Sequence, residues 1–380
     1  MLASHPIQYY APLYRALATM RSVDLKVYFA HRPTPAEQGI GFNVPFTWDV
    51  DLTAGFESEF LSNVARAATR GRVRGRFSDY DTPDIRDVIE RERFDAFLVH
   101  GWNALAYWQA MRACWTTRTP VFVRADSQLR DDRPVKQWVK GAIYPAFIRR
   151  FKACLSVGAR SDAYFRHYGA RRVVRSPHFV DNDAFASAAN AARPGRDALR
   201  SAWGIRPDHV VALFAGKLVA DKRPLDLVNA VKRVPGTHAL FVGDGPLRAA
   251  CGLAARSAGA PVSFAGFQNQ GTMPRLYASA DVLVLPSERR ETWGLVVNEA
   301  MASGIPVIVS DAAGCVPDLV REGETGYAYR AGDVRALAGA LSTLATDPAR
   351  RTRMGVAAAE HVASFSADRA AEGILDAVLA

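Results

Sequence analysis

Residues 285–318 read LPSERRETWGLVVNEAMASGIPVIVSDAAGCVPD. The runs 281–285 and 305–309 are short, apolar and rich in β-branched residues, and turn formers bound each of them, the pattern of buried parallel strands. Between them, 295–303 is helical in pattern. The stretch is therefore a strand, a loop, a helix and a strand, with Gly294 at the corner where the loop enters the helix. A glycine there lets the backbone approach a ligand closely, and the helix N-terminus offers unpaired N–H groups to an anion. Glu291 stands just before the helix and Glu299 inside it. Two carboxylates so placed are expected to face one cleft at different depths. A carboxylate accepts both hydroxyls of a vicinal diol, which suits a sugar or a ribose. The plainer alternatives are an N-terminal acid favoured by the helix dipole for Glu291 and a solvated helix position for Glu299.

The strand-to-helix turn recurs upstream. The run 210–214 reads as a strand that enters Gly216-Lys217-Leu218, and Lys222 and Pro224 follow. Gly216 permits a tight turn, two lysines five residues apart can straddle a diphosphate, and Pro224 fits the first position of a helix. The run 239–242 leads into Gly243-Asp244-Gly245-Pro246, and 262–265 leads into Gly266-Phe267-Gln268. A helix over 273–279 then returns the chain to 281–285.

Together these blocks carry a resemblance. Glu291-Thr292-Trp293-Gly294-Leu295-Val296-Val297-Asn298-Glu299, followed by Ala-Met-Ala-Ser-Gly-Ile-Pro, resembles the E-x7-E motif of family 4 retaining glycosyltransferases. Gly216-Lys217-Leu218 with Lys222, Gly243-Asp244-Gly245-Pro246, 264–267 and Gly323-Glu324-Thr325-Gly326-Tyr327 match further blocks of that family in order. The resemblance covers nearly all of the C-terminal half and, more loosely, the N-terminal half. It implies an α/β chain of the GT-B fold: two Rossmann-like domains with a cleft between them. The expected boundaries are 1–187 for an acceptor-side domain, 188–207 for a linker rich in Ala, Arg, Pro and Gly, and 208–364 for a domain that binds a nucleotide sugar. A last helix within 365–380 would cross back to the first domain.

The same resemblance implies the chemistry: a sugar moves from a nucleotide-diphosphate donor to an acceptor hydroxyl with retention at the anomeric carbon. No metal and no further cofactor is implied, so lysines and helix N–H groups must meet the charge on the departing diphosphate. Glu291 would contact the donor sugar, Glu299 the ribose hydroxyls, and the backbone at Gly294 and Leu295 the phosphates and sugar. Gly216, Lys217, Lys222, Gly243 and Gly245 would belong to the donor site, and Phe267 would flank the base. Lys217 stands where the family usually has Arg, a point charge in place of a bidentate fork.

The first half is read from position. Leu2 and Ala3 are all that is available for a first strand, so either the chain starts upstream or the sheet tolerates a stub. His5 and Gln8 follow it as cleft candidates. The run 25–30 is a strand, 42–59 an irregular connection, 85–92 a helix and 94–99 a buried strand that delivers His100 at its C-terminal end, where ligands of open α/β sheets bind. By resemblance His100 would sit near the sugar. The strand within 120–128 carries Arg124 and ends near Asp126, a pair that shapes the cleft or simply closes an ion pair. Strands are expected over 153–157 and 173–176, with a helix over 161–168.

Composition sets bounds. With 380 residues, 49% apolar and 23% charged, the chain has room for two domains. No apolar run approaches the roughly 18 residues of a spanning helix, and no signal peptide is evident, so a cytoplasmic location is expected. Cys114, Cys154, Cys251 and Cys315 lack paired or metal-ligand spacing and read as buried thiols. The net charge of +10 is uneven, for residues 1–190 carry 27 Lys and Arg against 19 Asp and Glu. The stretch 63–76 holds five arginines and no acid, and 133–152 holds six basic residues and no acid among interleaved aromatics. The second stretch suits an anionic membrane surface or, equally, a solvated helix face. Polysaccharide or glycoconjugate assembly at the inner membrane face follows as an expectation, with a glycan, lipid-linked or small-molecule acceptor. The rivals are a nucleotide-sugar hydrolase or epimerase on the same fold and, from another class, a basic nucleic-acid-binding protein. No Walker loop, zinc spacing, EF-hand or nucleophile elbow is present in the sequence, and Asp181-Asn182-Asp183 reads as a turn.

Overall fold

The computed structural model describes residues 1–129, 134–288 and 291–380. The chain divides into two compact units. The first comprises Met1–Gln38, Phe46–His178 and Ala367–Ala380, and the second comprises Gly39–Pro45 and Phe179–Ser366.

In the first unit seven parallel strands lie in the order β3-β2-β1-β4-β5-β6-β7. They are β1 (Leu2–Ala3), β2 (Lys26–Phe29), β3 (Glu57–Phe60), β4 (Phe97–Val99), β5 (Val121–Ala125), β6 (Ala153–Ser156) and β7 (Val173–Arg175). The two-residue β1 lies between β2 and β4, with Leu2 in register with Tyr28 and Val99. β3 falls at the end of the stretch read as irregular. Its sequence, ESEF, carries two acids where strands favour β-branched residues, and its exposure alternates because it is an edge. Lys26 on β2 offsets the charge, 3.2 Å from Glu57 and 3.5 Å from Glu59. The helix Ala367–Leu379 belongs to this unit: Ser176 Oγ donates to Ala370 O at 2.8 Å, and Arg172 Nη1 to Ala377 O at 3.1 Å. The core gathers Phe97, Val99, Met111, Val123 and Phe165 under the helices.

In the second unit six parallel strands lie in the order β10-β9-β8-β11-β12-β13. They are β8 (Val210–Ala215), β9 (Thr237–Val242), β10 (Val262–Gly266), β11 (Val282–Leu285), β12 (Val307–Ser310) and β13 (Gly326–Tyr329). β8, β9, β11 and β12 are buried throughout, as continuous apolar runs in a sheet covered on both faces must be. The order reverses between β8 and β11, which makes the carboxyl ends of those two strands the switch point where such sheets take ligands.

The stretch 188–207, read as a linker, is built instead of helix: Asn182–Ala192 and Arg196–Ala202 flank a single turn at Arg193–Gly195. Its alanines let Asn182–Ala192 pack closely on Met273–Ser279 and Leu295–Ala302. Its arginines are equally committed, since Arg196 and Arg200 each reach Asp281 at 2.6 Å. Asp181, in the triplet read as a turn, is the N-cap of the first helix and accepts from Ala184 N at 3.0 Å. All four cysteines are buried, and none of them forms a disulfide.

Candidate active site

Two loops meet at the switch point of the second unit. From β8 the chain enters Gly216 and Lys217, makes a turn over Ala220–Lys222 and starts the helix Pro224–Val231. From β11 it passes Ser287 and Glu288, reaches Glu291 and starts the helix Leu295–Ala302 at Gly294. The loops are tied together, for Glu288 N donates to Asp221 O at 2.8 Å and Arg223 forms ion pairs with both Asp226 and Glu288. The hydrogen bonds to Asp226 and Glu288 hold the Arg223 pKa above its ordinary value. Across this junction Lys222 Nζ donates to Glu291 Oε2, which also accepts from Ser287 Oγ at 2.9 Å. The Glu291 side chain keeps 11% of its surface exposed. Burial and the charge of Lys222 both lower the pKa of Lys217, so the two cations lie within electrostatic reach of each other. Lys217 Nζ donates to Ile40 O at 2.7 Å.

Gly294 has φ +102°, and a Cβ there would stand 2.6 Å from Leu285 Cδ2. The loop behind it is locked by Gly314 N to Glu291 O and Cys315 N to Trp293 O, both at 3.1 Å. Leu295 opens the helix and is half-buried. Glu299, one turn further in, is 1% exposed and accepts from Tyr277 Oη at 2.7 Å, which removes the alternative of a solvated helix residue.

The turn glycines separate into two kinds. At Gly243 a Cβ would meet Gly216 O at 2.0 Å, and at Gly245 one would meet Leu218 O at 2.7 Å. Both therefore serve the packing of one turn against the other, which Leu218 N to Asp244 O closes at 2.9 Å. Gly216, at φ +141°, has nothing among the described residues within 4 Å of the Cβ position. Of the three, it is the one with room for a ligand beside it. Phe267 stacks edge-on with Phe42 at 5.0 Å, and Lys217 Nζ lies 5.1 Å from the Phe42 ring.

The first unit gathers its own polar group at the carboxyl ends of β1, β4 and β5. His100 stacks on Tyr10 at 4.3 Å, and its Nε2 hydrogen bonds with Tyr14 Oη at 3.0 Å. His100 Nδ1 is buried with no partner among the described residues. Burial, then Arg124, keeps the His100 pKa well below the ordinary value. Arg124, 2% exposed, donates to Ser176 Oγ at 3.0 Å and to Pro177 O at 2.7 Å. Its tie to Asp126 is electrostatic, acting to raise the pKa that burial lowers. His5 bonds Ser4 Oγ through Nδ1 at 3.0 Å, and burial pushes its pKa down to about 4. Gln8 stands half-exposed in the turn after β1.

Sequence reading missed Ser287, Arg223, Glu288 and Tyr277. Ser287 and Glu288 had a signal, since they follow directly on a buried strand at the switch point. Tyr277 had none, because its hydroxyl meets Glu299 only through the packing of two helices.

Residues 195–361 match the model of a protein family described as "Glycosyl transferases group 1". The chain is 35% identical over 162 residues to the sulfoquinovosyl transferase of Arabidopsis thaliana, which covers 42% of this chain and 31% of that protein. It is 33% identical over 236 residues to the D-inositol 3-phosphate glycosyltransferase of Rhodococcus opacus, covering 57% and 50%. The chain thus spans no more than half the length of these two relatives. Among solved structures, Anabaena HepE in complex with UDP superposes with a TM-score of 0.75 at 18% identity, over 99% of this chain and 97% of that one. Sucrose-phosphate synthase from Thermosynechococcus elongatus gives 0.69 at 19%, over 96% and 90%. The chain has the GT-B fold, and its residues 195–361 are similar to the group 1 glycosyl transferases.

Proposed function

We propose that the protein is a retaining glycosyltransferase that moves a sugar from a nucleotide-diphosphate sugar to an acceptor hydroxyl. The observation that carries this reading is the Lys222–Glu291 pair at the switch point of the second unit, beside the open space at Gly216. A cation and a carboxylate held against each other there match the two ends of the donor: Lys222 meets the diphosphate and Glu291 the sugar. Lys217 and the first N–H groups of the helix Leu295–Ala302 add to the positive field on the diphosphate. Glu299 takes the ribose hydroxyls and Phe267 flanks the base. That HepE was solved with UDP supports a nucleoside diphosphate as the ligand class.

In this reading the bond between the anomeric carbon and the diphosphate oxygen breaks, and its electron pair leaves with the nucleoside diphosphate. The acceptor oxygen bonds to the same face of the sugar and passes its proton to the departing phosphate oxygen. Lys217, Lys222 and the helix N–H groups stabilise the charge that develops. His5, Gln8, His100, Arg124 and Asp126 of the first unit are proposed for the acceptor. The acceptor is a glycan of polysaccharide or glycoconjugate assembly, an assignment supported by the excess of cations in residues 1–190. No helix among the described residues is long and apolar enough to cross a membrane.

The test is a thermal-shift series with UDP, GDP and ADP, since a ligand of the native state raises the midpoint by mass action. Product analysis with and without acceptor glycans follows, with the anomeric configuration read by NMR. A shift with one nucleotide and an axial or equatorial product matching the donor is the expected result. Sugar release that is indifferent to acceptor would make the protein a hydrolase, and no shift with any nucleotide would remove the donor site.

A further inference from the structure

The helix Pro134–Ile148 is held by the first unit at one end only. Phe147 and Ile148 are buried, and Phe147 packs on Trp102 and Trp108, each at 5.4 Å. Towards its start the helix is bare: Val135 is 75% exposed, Trp138 76% and Ile143 55%. Large apolar side chains scattered singly on a surface need no explanation, but three on ten residues of one helix form a patch. Along the helix and onward to residue 161 the sequence carries charge of one sign. Residues 134–161 contain Lys136, Lys140, Arg149, Arg150, Lys152 and Arg160 and no Asp or Glu. Asp131, Asp132 and Arg133, which directly precede the helix in the sequence, lie outside the described residues. Beside the buried end of the helix is a recess of about 560 Å³ lined by Trp108, Arg112, Trp115 and Arg150, in which the Arg150 guanidinium lies 3.8 Å from the Trp115 ring.

We propose that this face of the first unit is a docking surface for an anionic phospholipid bilayer. Trp138, Val135 and Ile143 enter the interface, and Lys140, Arg149, Arg150 and Lys152 meet the headgroups. Fifteen residues of helix span about 22 Å, too short to cross a bilayer and long enough to lie in its surface. Tryptophan favours that depth, with an apolar ring and one polar N–H. The excess of cations over residues 131–161, seven against two acids, selects the occupant. A second copy docking through the same patch would set these cations against their own images, whereas anionic headgroups neutralise them. This inference stands apart from the transfer reading, and neither needs the other.

The test is co-sedimentation of the full chain with phosphatidylcholine vesicles, with and without phosphatidylglycerol, at low and high salt. Binding to the phosphatidylglycerol vesicles alone, weakened by salt, is expected. Trp138→Ser and Ile143→Ser are each expected to lower the bound fraction roughly tenfold, as loss of inserted apolar surface would, with the melting temperature and the UDP response unchanged. No binding to anionic vesicles at low salt overturns the proposal, as does Trp138→Ser binding as the unsubstituted chain does. Self-association without vesicles that Trp138→Ser abolishes would instead assign the face to a second copy. Because nucleotide response and vesicle binding are read separately, failure here leaves the donor site standing.

Discussion

Lys222 Nζ and Ser287 Oγ both donate to one oxygen of Glu291, Oε2, so a cation from the β8 loop is held against a carboxylate from the β11 loop. The pair lies at the junction that the strand order makes the ligand end of the sheet. A Lys–Glu pair on an open surface contributes little. With Glu291 mostly enclosed, removing one partner leaves the other incompletely paired at the place where the donor is proposed to bind. Lys222→Ala is expected to lower turnover by about a hundredfold or more, the scale for losing one preorganised donor to a developing anion. Arg70→Ala, an exposed cation of the first unit, should leave it within about twofold. Steady-state rates of the two variants check this, and equal effects would take Lys222 out of the chemistry.

Glu299 presents a different case, because the structure buries it completely against Tyr277. Glu299→Ala is expected to weaken nucleoside diphosphate binding by about 1.5–3 kcal/mol, roughly ten- to hundredfold. Tyr277→Phe removes only the bond that orients the carboxylate, and should move affinity in the same direction by less. Isothermal titration of both variants decides it. Unchanged affinity in a folded Glu299→Ala chain would end the ribose assignment.

What was legible in advance follows from which signals are local. Buried parallel strands are continuous apolar runs, and β8, β9, β11 and β12 were readable within a residue or three of their ends. Turn glycines marked the loops after β8 and β9, although the reason differs: Gly243 and Gly245 make room for backbone, not for a ligand. β3 was missed because an edge strand need not be apolar on either face. The helices of 182–202 were hidden because alanine and arginine describe a linker as readily as a helix that packs closely and pairs its cations with Asp281. Segment 39–45 was beyond reach altogether, since it clusters with the second unit through contacts to residues more than 170 positions away.

The glycines give a direct contrast. Gly243→Ala forces a methyl against the carbonyl of Gly216 at a φ of +122° and is expected to cost more than about 3 kcal/mol of stability, since strain and a backbone collision add. Gly216→Ala meets open space and carries backbone strain alone, on the order of 1–3 kcal/mol. It should fold, and it should bind nucleoside diphosphate more weakly because the methyl enters the space proposed for phosphate. Urea melts and titration together test both halves. A folded Gly216→Ala chain with full affinity would move the phosphate elsewhere.

Histidine burial sets an acid limit on stability. Burial pushes His5 and His238 down to about 4, and lowers His100 and His178 well below the ordinary value. His238 is enclosed at a strand–strand contact, where its Nε2 meets Ser263 Oγ at 2.8 Å. In the unfolded chain each of these groups titrates near 6.5. Between roughly pH 6.5 and 4 the unfolded state therefore binds more protons, so the free energy of unfolding rises with pH. The contribution is complete above about 6.5 and is lost as pH falls through the window, at up to about 1.4 kcal/mol per pH unit for each histidine held neutral. Asp281 does not account for a loss in that range. Burial works against ionisation of Asp281, but Arg196 and Arg200 outweigh it and hold its pKa below the usual value, so it releases its stabilisation only at lower pH. Urea midpoints should fall between about pH 7 and 5, and His238→Gln, which has no charge to gain, should fall less steeply over the same range. A midpoint for the unsubstituted chain that stays flat across that interval would mean these rings are already protonated or open to water in the native state.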